Sequence, residues 1–135
     1  MNAEWWRQQF REGIHVVVGR GRLGTTLANA LSGAGRTVGT DHSSADFLWF
    51  CVPESQLTGD RVQSVIAQNP SAAWIHTSGF APASVLGQCP GGPVASLHPA
   101  YSFPDPLTTM PPGVFWTMEG DAVLFPALIE LVDDW

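Results

Sequence analysis

The 135-residue chain contains no lysine. Its cations are six arginines, Arg7, Arg11, Arg20, Arg22, Arg36 and Arg61, set against twelve acidic residues for a net charge of −6. A nucleic-acid surface needs clustered Lys and Arg, so neither nucleic acid nor an anionic membrane is expected as a partner. No apolar run approaches the length of a membrane span. The first residues, MNAEWWRQQFREG, carry acids and lack an apolar signal-peptide core. With only two cysteines, Cys51 and Cys89, and no leader, the thiols are expected reduced and the protein cytoplasmic. Neither C-x-x-C nor H-x-x-x-H spacing occurs, so no metal site is expected. A G-x-S-x-G elbow and a G-x-x-x-x-G-K-[ST] loop are also missing, as are internal repeats and low-complexity tracts.

What is present alternates. The length is that of one domain, and six tryptophans and 44% apolar residues suffice for a real core. Residues 3–12 read as an amphipathic helix whose apolar side shares Trp5, Trp6 and Phe10. Residues 14–18, IHVVV, read as a buried strand, and 22–34 as a helix with Leu23, Leu27, Ala30, Leu31 and Ala34 at helical spacing. Further strands are expected at 46–52, 72–79, 94–97 and 114–118. Helices are expected at 57–68, around 82–88 and at 121–135, where Pro126 must kink the last one or mark a later start. Residues 101–113 form a proline-rich loop. Strands alternating with helices predict an α/β fold with a mainly parallel sheet of about five strands. The carboxyl ends of such strands line the ligand crevice. The tails at Gly19, at His76-Thr77-Ser78 and at His98-Pro99 should therefore meet.

The first tail is HVVVGRGRLG, with Gly19, Gly21 and Gly24 in G-x-G-x-x-G spacing. It leaves a strand and opens a helix, the context a dinucleotide loop requires. Gly19 permits the turn, Gly21 lets backbone approach a pyrophosphate, and Gly24 lets helix and strand pack closely. Helix-end amides attract phosphate, and Arg20 and Arg22, flanking Leu23, add charge. The alternative is a plain strand–helix turn. Asp41 follows Gly24 by 17 residues, near the spacing of roughly 20 at which an acid binds the adenosine ribose, which favours NAD over NADP.

The segments VVGRGRLGTTLANALSGAG, FCVPES, HTSG, SLHPAYSF and MEGD together resemble uncharacterised Rossmann-like oxidoreductases. These belong to the wider group around 6-phosphogluconate dehydrogenase, pyrroline-5-carboxylate reductase and prephenate dehydrogenase. The resemblance spans about residues 14–135 and implies an N-terminal helix (1–13) ahead of an NAD(P)-binding domain (14–135). The group's C-terminal helical domain, which dimerises and completes the substrate site, is expected to lie outside these 135 residues. It implies NADP or NAD as cofactor, a small-molecule substrate and a homodimer. Gly19, Arg20, Gly21, Arg22, Leu23 and Gly24 would hold the pyrophosphate, and Val52 and Pro53 would pass the nicotinamide ribose. His98 is similar to the histidine of the prephenate dehydrogenase HP motif. It would handle the substrate proton, with Ser78 and His76 in support. An imidazole with a pKa near 6.5 suits that work.

Plainer readings stand beside these: a turn histidine at His98, a simple turn at Ser78-Gly79, solvated carboxylates at Glu54 and Glu119, and a core thiol at Cys51. For His15 and His42 the sequence names no partner. One departure is topological. Only HSSAD separates Asp41 from the next strand, a reach of at most about 17 Å, whereas a parallel crossover takes a dozen residues or more. The usual second crossover helix and third strand are therefore expected to be absent. Residues 36–40 form either a very short strand with a taut return or a loop. Two functions follow: an NAD(P)-dependent oxidoreductase on a small carbonyl/alcohol or imine/amine substrate, or a degenerate Rossmann domain that binds a nucleotide or anion without redox chemistry, as a regulatory or assembly module.

Overall fold

A computed structural model describes residues 1–87 and 92–135. Cys89, and the end of the helix expected near 82–88, lie outside the described residues. The elements in chain order are α1 (Ala3–Glu12), β1 (Ile14–Val18), α2 (Arg22–Gly33), β2 (Thr37–Gly39), β3 (Phe47–Phe50), α3 (Asp60–Gln68), β4 (Ala73–His76), β5 (Val94–Pro99), β6 (Trp116–Gly120) and α4 (Phe125–Asp133). Single 3-10 turns stand at Glu54–Gln56, Ala83–Leu86 and Ala122–Leu124. The strands form one six-stranded sheet in the order β2-β1-β3-β4-β5-β6. All neighbours are parallel except β5 and β6. The fold is thus α/β with a mainly parallel sheet, one strand richer than the expected five because residues 36–40 do pair.

Alternation along the strands divides the core into two layers. Val17, Phe47, Trp49, Ile75, Ala95 and Leu97 face α1, α2 and α4. Val16, Val18, Leu48, Phe50 and Trp74 face α3, Leu57 and Leu86. Helix α1 starts where the Asn2 side chain accepts the Trp5 amide at 2.9 Å. It buries Trp6 and Phe10 on the sheet, at roughly 2 kcal/mol or more for each side chain. Trp5 does not join them: it stays 39% exposed and meets Trp6 edge-on. Pro126 sits in the first turn of α4, where its missing N–H costs nothing, so the last helix starts late rather than kinking.

Strand β2 is the taut return. Its three residues pair with Ile14, His15 and Val16, while β3 begins opposite His15. The end of β2 is therefore level with the start of β3. The chain has only to cross two strand spacings, about 10 Å, and no crossover helix is needed. Asn69 at the end of α3 holds this crossing. Its side chain donates to the carbonyls of His42 and of Val65 (2.9 Å) and accepts the Ala45 amide at 3.3 Å. Strand β6 lies two residues later than the expected 114–118. The ladder with β5 ends at Pro99, opposite Trp116; beyond it the Phe115 carbonyl still accepts the Ala100 amide at 2.8 Å, but the residue is 72% exposed.

Candidate functional site

β1, β3, β4 and β5 are parallel, so their carboxyl ends share one edge. The glycine loop leaves β1 there, and its three glycines answer to different constraints. Gly19 has φ +97°, and a Cβ on it would lie 2.4 Å from the Cys51 carbonyl oxygen. A Cβ on Gly24 would lie 1.9 Å from the Gly19 oxygen. Both glycines are demanded by packing. A Cβ on Gly21 would meet nothing within 4 Å. Neither packing nor a positive φ demands glycine there; it suits the N-cap of α2, and it also leaves room for a group lying against the loop.

Helix α2 begins immediately after, with no side-chain cap and no acid in its first turn. Its first amides are open to an anion. Arg20 and Arg22 flank this end, and neither makes an ion pair among the described residues. The proline-rich loop is fastened across α2. Arg22 donates to the Pro104 carbonyl (3.3 Å), Asn29 donates to Leu107 (2.9 Å), and the Leu107 amide donates to the Thr26 hydroxyl (2.8 Å). The loop thereby walls a cavity of about 510 Å³ lined by Arg22, Leu23, His98, Pro99, Tyr101, Ser102 and Phe103. The tail of β5 and the head of α2 thus open onto one space.

His98 is half-buried and makes one hydrogen bond: its Nδ1–H donates to the Thr77 carbonyl at 2.9 Å. That bond fixes the tautomer with an unprotonated Nε2, which has no partner among the described residues. Nε2 lies against Gly79, where a Cβ would approach it to 2.7 Å. His98 also lines a second cavity of about 450 Å³, with Gly79, Phe80, Ala81, Pro82, Ser96, Thr117, Met118 and Glu119.

His76 is placed differently. It is fully buried; its Nε2–H donates to the Pro82 carbonyl (3.0 Å) and its Nδ1 accepts the Ser78 amide (3.1 Å). Both ring nitrogens are engaged, and burial pulls its pKa below the usual value. His76 shapes the turn that carries Thr77 and Ser78. The Ser78 hydroxyl accepts the Phe80 amide at 3.4 Å, and its carbonyl accepts from Ser96 at 3.2 Å. Val52 packs on the glycine loop, with Cγ1 3.1 Å from a Cβ built on Gly19, and exposed Pro53 follows it. Burial pushes the Cys51 thiol up to about 12, which disfavours the thiolate form that acts as a nucleophile.

On the β2 side a small cavity of about 140 Å³ is lined by Val16, Val17, Arg20, Gly39, Thr40 and His42. Asp41 is not in its lining. Its Oδ1 accepts the Ser43 amide (2.9 Å) and hydroxyl (2.7 Å), bonds that hold its pKa below the usual carboxylate value. No group of three metal-ligating side chains occurs among the described residues, and no helix is long and apolar enough to cross a membrane.

Three structural residues escaped the sequence. His15 is fully buried, donating through Nε2 to the Phe10 carbonyl (2.8 Å) and accepting the Trp49 indole N–H at Nδ1 (3.1 Å). Asn69 looks like a helix-stop residue in NPS, yet it secures the β2–β3 crossing. Glu119 is exposed, but its Oε2 accepts the Ala83 amide at 2.6 Å. Only alternation along IHVVV, which turns His15 to the same side as Val17, hinted at any of these.

No family model and no curated protein sequence matches the chain. Solved structures do share its architecture. The candidate NADP oxidoreductase BF3122 from Bacteroides fragilis superposes with a TM-score of 0.73 at 18% identity, over 93% of this chain and 58% of that one. The fold is Rossmann-like. Protein TM1727 from Thermotoga maritima matches with a TM-score of 0.62 at 18% identity, over 90% and 53% of the two chains. The V8 variant of an imine reductase from Myxococcus stipitatus, in complex with NAD+, matches with a TM-score of 0.60 at 13% identity, over 91% and 52%. The chain therefore spans little more than half the length of these proteins, and at such identities the likeness is one of fold.

Proposed function

We propose that this chain is the dinucleotide-binding unit of an NAD(P)-dependent oxidoreductase acting on a small carbonyl/alcohol or imine/amine substrate. The observation that carries this reading is the cavity of about 510 Å³ shared by the first turn of α2 and His98. It brings an anion cradle and the His98 ring to one space. The residues fit a dinucleotide. Gly21 leaves open the space a Cβ would fill, and the amides of α2 with Arg20 and Arg22 would receive the pyrophosphate. A bound nicotinamide supplies hydride transfer. The chain itself supplies position and a proton path. His98 Nε2 takes the substrate proton in oxidation and returns it in reduction, while the Thr77 carbonyl holds the ring in that tautomer. Val52 and Pro53 would border the ribose, and the Thr77–Ser78 turn would border the reacting groups.

A second reading, a nucleotide- or anion-binding module without redox chemistry, draws support from the adenosine side. The cavity there is only about 140 Å³, and Asp41 is folded onto Ser43. Titration of NADH and NADPH, followed by quenching of tryptophan fluorescence and by calorimetry, separates the possibilities. Dissociation constants in the micromolar range are expected, lost in Gly21→Asp with no change in melting temperature. Binding followed by turnover that His98→Ala abolishes supports the enzyme; binding without turnover of any substrate tried supports the module. Absence of binding up to about a millimolar overturns both dinucleotide readings.

A further inference from the structure

The cavity on the far side of His98 has a charge character of its own. Ser96 pairs with Glu119 and His98 with Thr117 across β5 and β6. Cross-strand partners share a face, and so do alternate residues of one strand. The four polar side chains therefore stand together on one face, while Leu97 and Met118 between them turn to the core. Gly79 and Phe80 close the other wall of the cavity of about 450 Å³. Among the described residues Glu119 is the one carboxylate in its lining, and no arginine lines it. The carboxylate forms no ion pair among the described residues. It is nevertheless held in place, because the Ala83 amide donates to Oε2 at 2.6 Å, while Oε1 has no partner among the described residues. An anionic substrate would find no cation here and would face this carboxylate.

Resting on the oxidoreductase reading above, we propose that this cavity is the substrate pocket and that it selects a small substrate with a cationic nitrogen, an amine or iminium, paired to Glu119. The redox step balances on that charge. A protonated amine gives one N–H proton to His98 Nε2. The C–H bond on the carbon next to nitrogen would then break, its electron pair leaving as hydride for the acceptor that a bound oxidised nicotinamide would supply. The nitrogen lone pair then closes the C=N bond. The iminium product carries the same single positive charge as the ammonium substrate, so one fixed carboxylate serves both ends of the reaction.

Three six-membered-ring probes of equal shape test this: cyclohexylamine, cyclohexanol and cyclohexanecarboxylate, titrated calorimetrically into the protein with and without saturating NADP+. The amine is expected to bind about tenfold more tightly than the alcohol, and the carboxylate not measurably. Glu119→Gln, which keeps an acceptor for the Ala83 amide, should remove the amine's advantage and leave cyclohexanol unaffected. Thr117→Arg, at an exposed position beside the pair, should reverse the preference toward the carboxylate whether or not Glu119 tolerates replacement. An amine that binds no better than the alcohol, or an advantage that survives Glu119→Gln, overturns the proposal. Amine binding that depends on Glu119 in a protein that never binds NADP+ would sustain the cation pocket and reject the dinucleotide reading, so the two fail separately.

Discussion

At the scale of single residues, each histidine is assigned by what its two nitrogens touch. His98 keeps one free, and His76 uses both. His15 is sealed between Phe10, Phe47 and Trp49, with Arg36 nearby disfavouring a proton and Asp46 weakly favouring one. Burial pulls its pKa down to about 4, a depression worth roughly 3 kcal/mol if fully expressed. The sign follows from linkage. Above pH 6.5 the imidazole is neutral folded and unfolded, and its bonds contribute in full. As pH falls from 6.5 toward 4 the unfolded chain takes up a proton that the folded chain refuses, and stability is lost. His76, also lowered, adds in the same direction. Urea denaturation at pH 7.5, 5.5 and 4.5 should show this loss, and His15→Phe should be less stable at pH 7.5 but flatter across the window. Equal slopes for the two proteins would remove His15 from the account. Sequence could not have shown the effect, because the partners of His15 come from α1 and β3 and meet only after folding.

At the scale of elements, legibility tracks how local the cause is. The strand at 14–18 and α2 with its glycine loop are each dictated by neighbours in sequence, so they read correctly, whereas Pro126 left a kink or a later start of the last helix open and the structure takes the later start. The missing crossover was also legible, since chain length limits reach. What sequence left open, strand or loop for residues 36–40, is decided at long range by β1 and by Asn69 on α3. Asn69→Ala would leave the Ala45 amide and the His42 carbonyl without their partner in a part-buried crossing. A cost of roughly 2 kcal/mol is expected in urea denaturation. Because His42 lines the β2-side cavity proposed for the adenosine end, the same variant should weaken dinucleotide binding more than a destabilising change on α4 of equal cost. Loss of stability with dinucleotide affinity untouched would separate the crossing from the site.

At the scale of the whole molecule, charge distribution decides more than net charge. Arg7 and Arg11 both hold Glu130, at 2.9 and 2.6 Å, and Arg36 reaches Asp134 at 3.4 Å. Arg20, Arg22 and Arg61 remain without a carboxylate among the described residues, and two of these three flank the glycine loop. Composition alone, with a net charge of −6, said only that polyanions are poor partners. It could not show that two of the three cations left over stand at one helix end. The two scales of charge make opposite predictions for a dinucleotide, itself anionic. If the global field governed binding, added salt would screen repulsion and tighten the complex. If Arg20 and Arg22 govern it from within a Debye length, about 10 Å at 0.1 M salt, added salt must weaken it. The expected result is a severalfold rise in Kd for NADPH between about 50 and 500 mM salt. In the double variant Arg20→Gln, Arg22→Gln that slope should flatten or change sign, with the melting temperature almost unmoved, since exposed arginines outside ion pairs contribute little to stability. A wild-type complex that tightens with salt would place the anion away from the glycine loop. The small cavity at β2 and the open position at Gly21 would then need another explanation.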